Sequence, residues 1–256
     1  MKIATFNVNS IRARLPIVTK WLLDNQPDVL CVQETKTQDK DFPQTAFDEI
    51  GYNCAFKGQK SYNGVALFTP HKIQQLTFGF DDEPKDQPRL IRAKIGKLNI
   101  VNTYVPQGFE PDSPKFQYKL QWFDRLAKLF EKNYKPADLL VWLGDFNIAP
   151  EARDLYDPEK LYGSVCYHPD VQNELKKIIK WGFVDVFRKH CDQPEQYSFW
   201  DYRLPNSFKR NLGWRLDHIL ATKPLAEKCT ACYIDKAPRT IERPSDHTPV
   251  VAEFKL

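Results

Sequence analysis

Leu139-Leu140-Val141-Trp142-Leu143-Gly144-Asp145-Phe146-Asn147 is an apolar run that stops at a glycine and then presents an acid and an amide. Such a run reads as a strand buried on both faces, and strands of that kind release their first polar side chains only at their ends. The pattern recurs along the chain. Ile3-Ala4-Thr5-Phe6 ends in Asn7, Val29-Leu30-Cys31-Val32-Gln33 ends in Glu34, and Ser245-Asp246-His247 precedes Thr248-Pro249-Val250-Val251. One acid after a strand says little, but four such ends can converge on a single cleft.

Strands over 3–7 and 29–33 bracket a helix over 15–24, where Leu15, Val18, Leu22 and Leu23 recur at helical spacing. Shorter strands are expected over 52–56, 65–68, 91–95 and 98–104, with turns at Gly79 and Gly96. A long amphipathic helix over 115–134 carries Phe116, Leu120, Phe123, Leu126, Leu129 and Phe130 on its buried stripe, and Pro136 stops it. A helix over 171–181 and strands over 214–220, 229–234 and 248–254 follow. Helices alternating with strands that also pair as hairpins predict an α/β protein whose mixed sheets pack face to face with helices outside. At 256 residues, with no Gly/Ser-rich or Pro-rich linker, the expectation is a single domain over 1–256.

Hydrophobic residues at 42% and charged residues at 27% argue against a disordered chain. A formal charge of +4 permits a polyanionic partner without requiring one. Cys229 and Cys232 form a C-x-x-C with no second pair or histidine at zinc spacing, inside the strand-like Cys229-Thr230-Ala231-Cys232-Tyr233-Ile234, so structural thiols are expected. The first residues already read as a strand and leave no room for a secretory leader. No stretch approaches the ~18 apolar residues that span a bilayer. A reduced, cytoplasmic protein that does not enter membranes is the expectation.

Phosphodiester hydrolysis requires charge neutralised on the phosphate, an oriented water, a base and help for the leaving oxygen. Glu34 and Asn7 offer hard oxygen ligands of the kind Mg²⁺ or Mn²⁺ takes. Asp145 and Asn147, two residues apart, could grip one water, with Asp145 as base or water-orienting group. His247 could donate to a phosphate oxygen when held charged by Asp217, leaving Asp246 for a metal, and Tyr104 could hydrogen-bond the phosphate. The groups in reach of a metal are thus Asn7, Glu34, Asp145, Asn147, Asp246 and His247. Each has a plainer reading: Asp145 and Asp246 as caps, Asn7 as a strand-end amide, Glu34 as an ion-pair partner of Lys36, Tyr104 as a strand aromatic. His168 and His218 read as structural.

Nine segments together resemble the exonuclease III branch of the endonuclease/exonuclease/phosphatase superfamily. They are 6–12 (Phe-Asn-Val-Asn-Ser-Ile-Arg), 27–36, 62–66, 104–108 (Tyr-Val-Pro-Gln-Gly), 143–147, 182–188, 199–203 (Phe-Trp-Asp-Tyr-Arg), 213–217 (Gly-Trp-Arg-Leu-Asp) and 244–247. The resemblance covers essentially the whole chain and implies a four-layered, DNase I-like α/β sandwich. It implies Mg²⁺- or Mn²⁺-dependent hydrolysis 5′ to abasic sites in duplex DNA by a monomer, with removal of 3′ blocking groups or nucleotides as a second activity. A runner-up is an enzyme mainly of 3′ ends, a 3′ phosphatase with weak abasic cleavage.

Carried over by motif, the resemblance puts Glu34, Asn7 and Asp246 at the metal with Asn9 nearby. It assigns Asp145 and Asn147 to the water, Tyr104 and His247 to the phosphate, and Asp217 to orienting His247. Phe199, Trp214 and Leu216 match the apolar pocket that receives a flipped-out, base-free sugar, with Trp200 and Tyr202 in the same block. Arg12, Lys36, Tyr62, Arg89 and Arg203 stand where backbone contacts to DNA are expected, and Gln107 near the scissile phosphate. The chain departs from many relatives at Asn9, where Asp is common, at Gln107, where Asn is common, and after Pro169, where a Glu-Arg pair is missing.

Overall fold

The computed structural model describes residues 1–82 and 85–256. Among the described residues there are twelve strands: β1 (Lys2–Asn7), β2 (Val29–Gln33), β3 (Asn53–Lys57), β4 (Val65–Thr69), β5 (Gln74–Phe78), β6 (Leu90–Ile95), β7 (Leu98–Tyr104), β8 (Leu140–Asp145), β9 (Phe183–Asp185), β10 (Asp217–Thr222), β11 (Cys229–Ile234) and β12 (Val250–Phe254). They form two six-stranded sheets, ordered β11-β12-β1-β2-β4-β3 and β5-β6-β7-β8-β10-β9. Both are mixed, each with one parallel pair, β1 with β2 and β7 with β8.

The central strands β2, β4, β8 and β10 are buried at every position, their apolar residues making up most of each run and their few polar ones, such as Gln33, His218 and Thr222, buried with them. Facing side chains such as Ile3, Cys31 and Leu67 from one sheet and Ile100, Leu143 and Ile219 from the other fill the space between the sheets. The helices Pro114–Asn133 and Pro169–Gly182 cover the outside of the second sheet, and Leu15–Asn25 covers the first. The result is the expected four-layered sandwich. Ser113 caps the Pro114–Asn133 helix by accepting from the Phe116 N–H at 3.2 Å, with Pro114 in the first turn.

Apolar packing alone would let two sheets slide, because it has no direction. A buried amide bridge fixes their register. Gln33 Nε2 on β2 donates to Asn102 Oδ1 on β7 at 2.7 Å, and Asn102 Nδ2 donates to the Val32 and Ala66 carbonyls at 3.2 and 3.0 Å. Asn102→Ala is expected to lower stability by about 1–3 kcal/mol, since it strips buried groups of their partners. An unchanged urea midpoint in that variant would show that the bridge contributes nothing.

Several sequence expectations are displaced. The strand expected over 214–220 begins only at Asp217, because Arg215 turns into a buried ion cluster and Trp214 makes single bridges to Leu155 and Phe199. The strand expected from 248 begins at Val250. β5 was not expected: all five of its residues are exposed at a sheet edge, so no alternation marks it. β9 and the short Val186–His190 helix were also unmarked, the helix being capped by Asp185 Oδ1 on the Phe187 and Arg188 N–H groups.

Candidate active site

Strand direction brings the polar ends together. Asn7 and Gln33 are partners in the parallel β1–β2 pair, so Asn7 and Glu34 emerge at one end of the first sheet. Tyr104 and Asp145 are partners in the parallel β7–β8 pair, and Asp217, opening the antiparallel β10, also faces Asp145. Because β12 runs antiparallel to β1, the Ser245-Asp246-His247 segment before it arrives at the same end. Gly144 makes this possible, because its φ of +142° and its closeness to β7 exclude a side chain: a Cβ there would lie 1.9 Å from the Thr103 carbonyl oxygen.

One amide joins the two sheets at the site. Asn7 Nδ2 donates to Glu34 Oε1 and to Asp145 Oδ2, each at 2.8 Å. Its Oδ1 accepts from the Asn9 N–H at 3.0 Å. Asn7 therefore faces the carboxylates as a donor, which differs from the expectation that it offers oxygen to a cation. His247 Nδ1 lies 2.8 Å from Asp217 Oδ2, and its Nε2 is 3.8 Å from Asp145 Oδ2. Glu34, Asp145 and His247 bring ligand atoms within 4.8 Å of one another. Glu34 also pairs with Lys36 at 2.7 Å, so the plainer reading of that pair is present within the site itself.

The electrostatics divide these groups by role. Burial raises the Asp145 pKa; the His247 charge pulls it back, while Asp217 and Glu34 push it up, and it comes to about 7. Burial opposes a charge on His247, but Asp217 and Asp145 more than offset this and hold it as imidazolium past neutrality. Burial likewise opposes the Glu34 charge, yet Lys36 and Asn7 keep its pKa below the usual range. Burial and the charges of Glu34 and Asp145 push the Tyr104 hydroxyl well above its ordinary value, so it remains a proton donor.

Asn147 is pinned from several sides. Its N–H donates to Asp145 Oδ1 at 2.9 Å, and its Nδ2 donates to the Val105 carbonyl at 3.0 Å. Both Glu34 and Asn147 adopt left-handed backbone, with φ of 55° and 50°, a conformation non-glycine residues rarely take and one that clusters at functional sites. Asp246 stands outside the close group: its Oδ1 accepts from Asn9 Nδ2 at 3.0 Å, and Asn9 Oδ1 accepts from Lys36.

Residues 4–247 match the endonuclease/exonuclease/phosphatase family. The chain belongs to that family. It is 34% identical over 268 aligned positions to exodeoxyribonuclease III of Haemophilus influenzae, covering all of both chains. Among solved structures it is similar to an AP endonuclease from Archaeoglobus fulgidus (52% identity, TM-score 0.98) and to a Neisseria 3′ phosphatase bound to a product DNA hairpin (39% identity, TM-score 0.94), again covering all of both chains.

Around this family centre, the other expected residues take different positions. Phe199 and Trp214 are half-buried, the Phe199 ring centroid lying 4.7 Å from the His247 imidazole and 6.4 Å from the Trp214 ring. Leu216, 3% exposed, belongs to the buried cluster against which both rings pack. Trp200 is fully buried and bonds Asn211, which makes it packing rather than surface. On the opposite flank, Tyr62, Arg89, Gln107, Phe109, Lys115 and Tyr118 line a cleft of about 400 Å³, and the Arg89 guanidinium lies 4.7 Å from the Tyr104 ring. A larger cleft of about 580 Å³ near Asp28 and His71 contains none of the candidate residues. Arg12 is exposed. Arg203 pairs with Asp201 at 2.6 Å, which cancels the local charge expected to meet phosphate. Tyr202 turns its hydroxyl to the Pro244 carbonyl and to Arg14.

The supports under the site leave no pattern in the sequence. Arg14, on the loop after Asn9, donates to the Asn9 and Pro244 carbonyls and so ties the two loops flanking Asp246. Arg215 pairs with Asp154 at 2.7 Å and Asp185 at 2.8 Å and donates to His218 Nδ1, while His218 Nε2–H donates to the Ile148 carbonyl at 2.8 Å. His168 caps the Pro169–Gly182 helix through Nδ1 and the Asp170 N–H. Both histidines thus have the structural roles expected of them. Burial and then the Arg215 charge lower the His218 pKa to about 4. The unfolded chain takes up this proton first, so the contribution is present above the ordinary value of 6.5 and is lost as pH falls from 6.5 towards 4. The expected loss is on the order of 3 kcal/mol, and His218→Asn should flatten that limb of a stability-against-pH profile. An unchanged limb would remove His218 as its cause.

Proposed function

We propose that this chain is a divalent-metal-dependent DNA repair nuclease of the exonuclease III type, folded as one domain. It hydrolyses the phosphodiester 5′ to abasic sites in duplex DNA and removes 3′ blocking groups or nucleotides. The observation that carries this reading is the buried Asn7 amide holding Glu34 and Asp145 together across two sheets, beside a histidine kept charged by Asp217.

The donors present suit a hard divalent cation. Glu34 contributes to the raised Asp145 pKa, a repulsion between carboxylates that a cation between them would relieve. Glu34 and Asp145 would hold Mg²⁺ or Mn²⁺, with Asp246 and Asn9 on its outer side. Bound there, the ion would neutralise charge on the phosphate and the leaving 3′ oxygen. The protein supplies the remaining chemistry. Asn147 Oδ1 accepts from the attacking water, and Asp145 orients that water and takes its proton as the P–O3′ bond breaks. His247 and the protonated Tyr104 donate to the phosphate oxygens where negative charge gathers. Phe199, Trp214 and Leu216 wall the sugar on one side, while Lys36, Tyr62, Arg89 and Gln107 meet the backbone on the other.

All these groups come from one chain, so a monomer is sufficient. Six unpaired cysteines favour a reduced, cytoplasmic setting, and no helix among the described residues is long and apolar enough to cross a membrane. The similarity to a 3′ phosphatase supports an alternative weighted towards 3′ ends, with Asn9 and Gln107 as the positions that would tilt it. Duplexes bearing one abasic analogue, a 3′ phosphate or neither, offered at equal concentration with Mg²⁺, separate the readings. Incision at the analogue as the fastest reaction supports the first; fast 3′ phosphate release with slow incision favours the second.

A further inference from the structure

Lys119 lies on the buried stripe of the Pro114–Asn133 helix, three residues after Phe116 and four before Phe123, and is fully inaccessible. Its ammonium donates to three backbone carbonyls on three separate loops: Asn147 at 2.8 Å, Val165 at 2.8 Å and Gln107 at 3.2 Å. No carboxylate pairs with it among the described residues. A buried ammonium is costly, and burial lowers this one's pKa to about 8. Its stem is packed as well, since a Cβ on Gly108 would meet Lys119 Cδ at 3.2 Å.

The contact with Asn147 matters most. Asp145 holds the N–H of that residue, Val105 holds its Nδ2, and Lys119 holds its carbonyl, in a backbone that is left-handed at φ 50°. With those groups fixed, the side-chain Oδ1 is aimed by the scaffold rather than by substrate. We propose that Lys119 is a positioning residue, which sets the Asn147 oxygen for the attacking water and ties the Gln107 loop to the same point. This rests on the proposed role of Asn147 in hydrolysis. The ammonium touches only carbonyls of the protein, so its action passes through the residues it holds.

The test is a double-mutant cycle on abasic duplex with Mg²⁺, using Lys119→Met, Asn147→Ala and the pair. Lys119→Met should lower kcat roughly 10- to 100-fold, as loss of an outer-shell support does, with KM nearly unchanged. In the Asn147→Ala background, most of that loss should vanish, because the group it positions is gone. Parental kcat in Lys119→Met, or losses that multiply in full, would overturn the inference. Parental turnover in Asn147→Ala would instead remove the catalytic role of Asn147, and this inference with it. Should the Met variant fail to fold, Lys119→Gln, which keeps a donor on a shorter stem, takes its place in the cycle. A kcat loss that vanishes with Asn147→Ala then supports the inference, and parental kcat or fully multiplying losses overturn it.

Discussion

Asp145→Ala is expected to lose turnover on abasic duplex by about 10³-fold, within the range for removal of a positioned general base, while binding that duplex about as tightly as the parent. The carboxylate meets Asn7, the Asn147 N–H and the region of His247 Nε2, so it sits where water, metal and phosphate must meet. The backbone contacts to DNA come from other residues, so binding and turnover should separate. Asp145→Asn sharpens the test, because it approximates the shape while abolishing the charge. If Asp145→Asn retains strong turnover, the carboxylate is not the base or the water-orienting group.

His247→Asn is expected to lower kcat by about 10²- to 10³-fold, the cost of removing one preorganised donor from a charged transition state. Asp217 and Asp145 raise its proton affinity enough to keep it charged through neutral pH, so the parent should donate from imidazolium. The variant also leaves Asp217 buried without its partner, and Asp217 Oδ1 already has none among the described residues. Some stability should therefore be lost with the activity. His247→Asn combined with Asp217→Asn should recover part of that stability and none of the rate. Recovery of the rate would reduce the pair to a structural one.

Much of this arrangement was legible in the sequence, for physical reasons. Strands buried on both faces are mostly apolar, so Glu34, Asn7, Asp145 and Tyr104 stand out where the runs end. Resemblance then joined residues as distant as Asn7 and His247, which no local pattern connects. What stayed hidden was of two kinds. β5 has no buried face, so no periodicity marks it. The supports of the site are long-range polar contacts: Arg215 reaching Asp154, Asn102 reaching across the sheets, Arg14 joining two loops. Lys119 left one trace, a lysine where the helical stripe calls for an apolar residue, although the target of its ammonium depends on tertiary structure. For Asn7 the position was legible but not the orientation, because the Asn9 N–H occupies the oxygen.

The most direct test of the account is single-turnover incision of an end-labelled duplex with one abasic-site analogue by protein stripped of metal, before and after Mg²⁺ is added. The account predicts no incision in EDTA, one product ending immediately 5′ to the analogue once Mg²⁺ is supplied, and no such product from Asp145→Ala under the same conditions. Incision that persists in EDTA, or Mg²⁺-supported binding with no cleavage of any substrate, would contradict it.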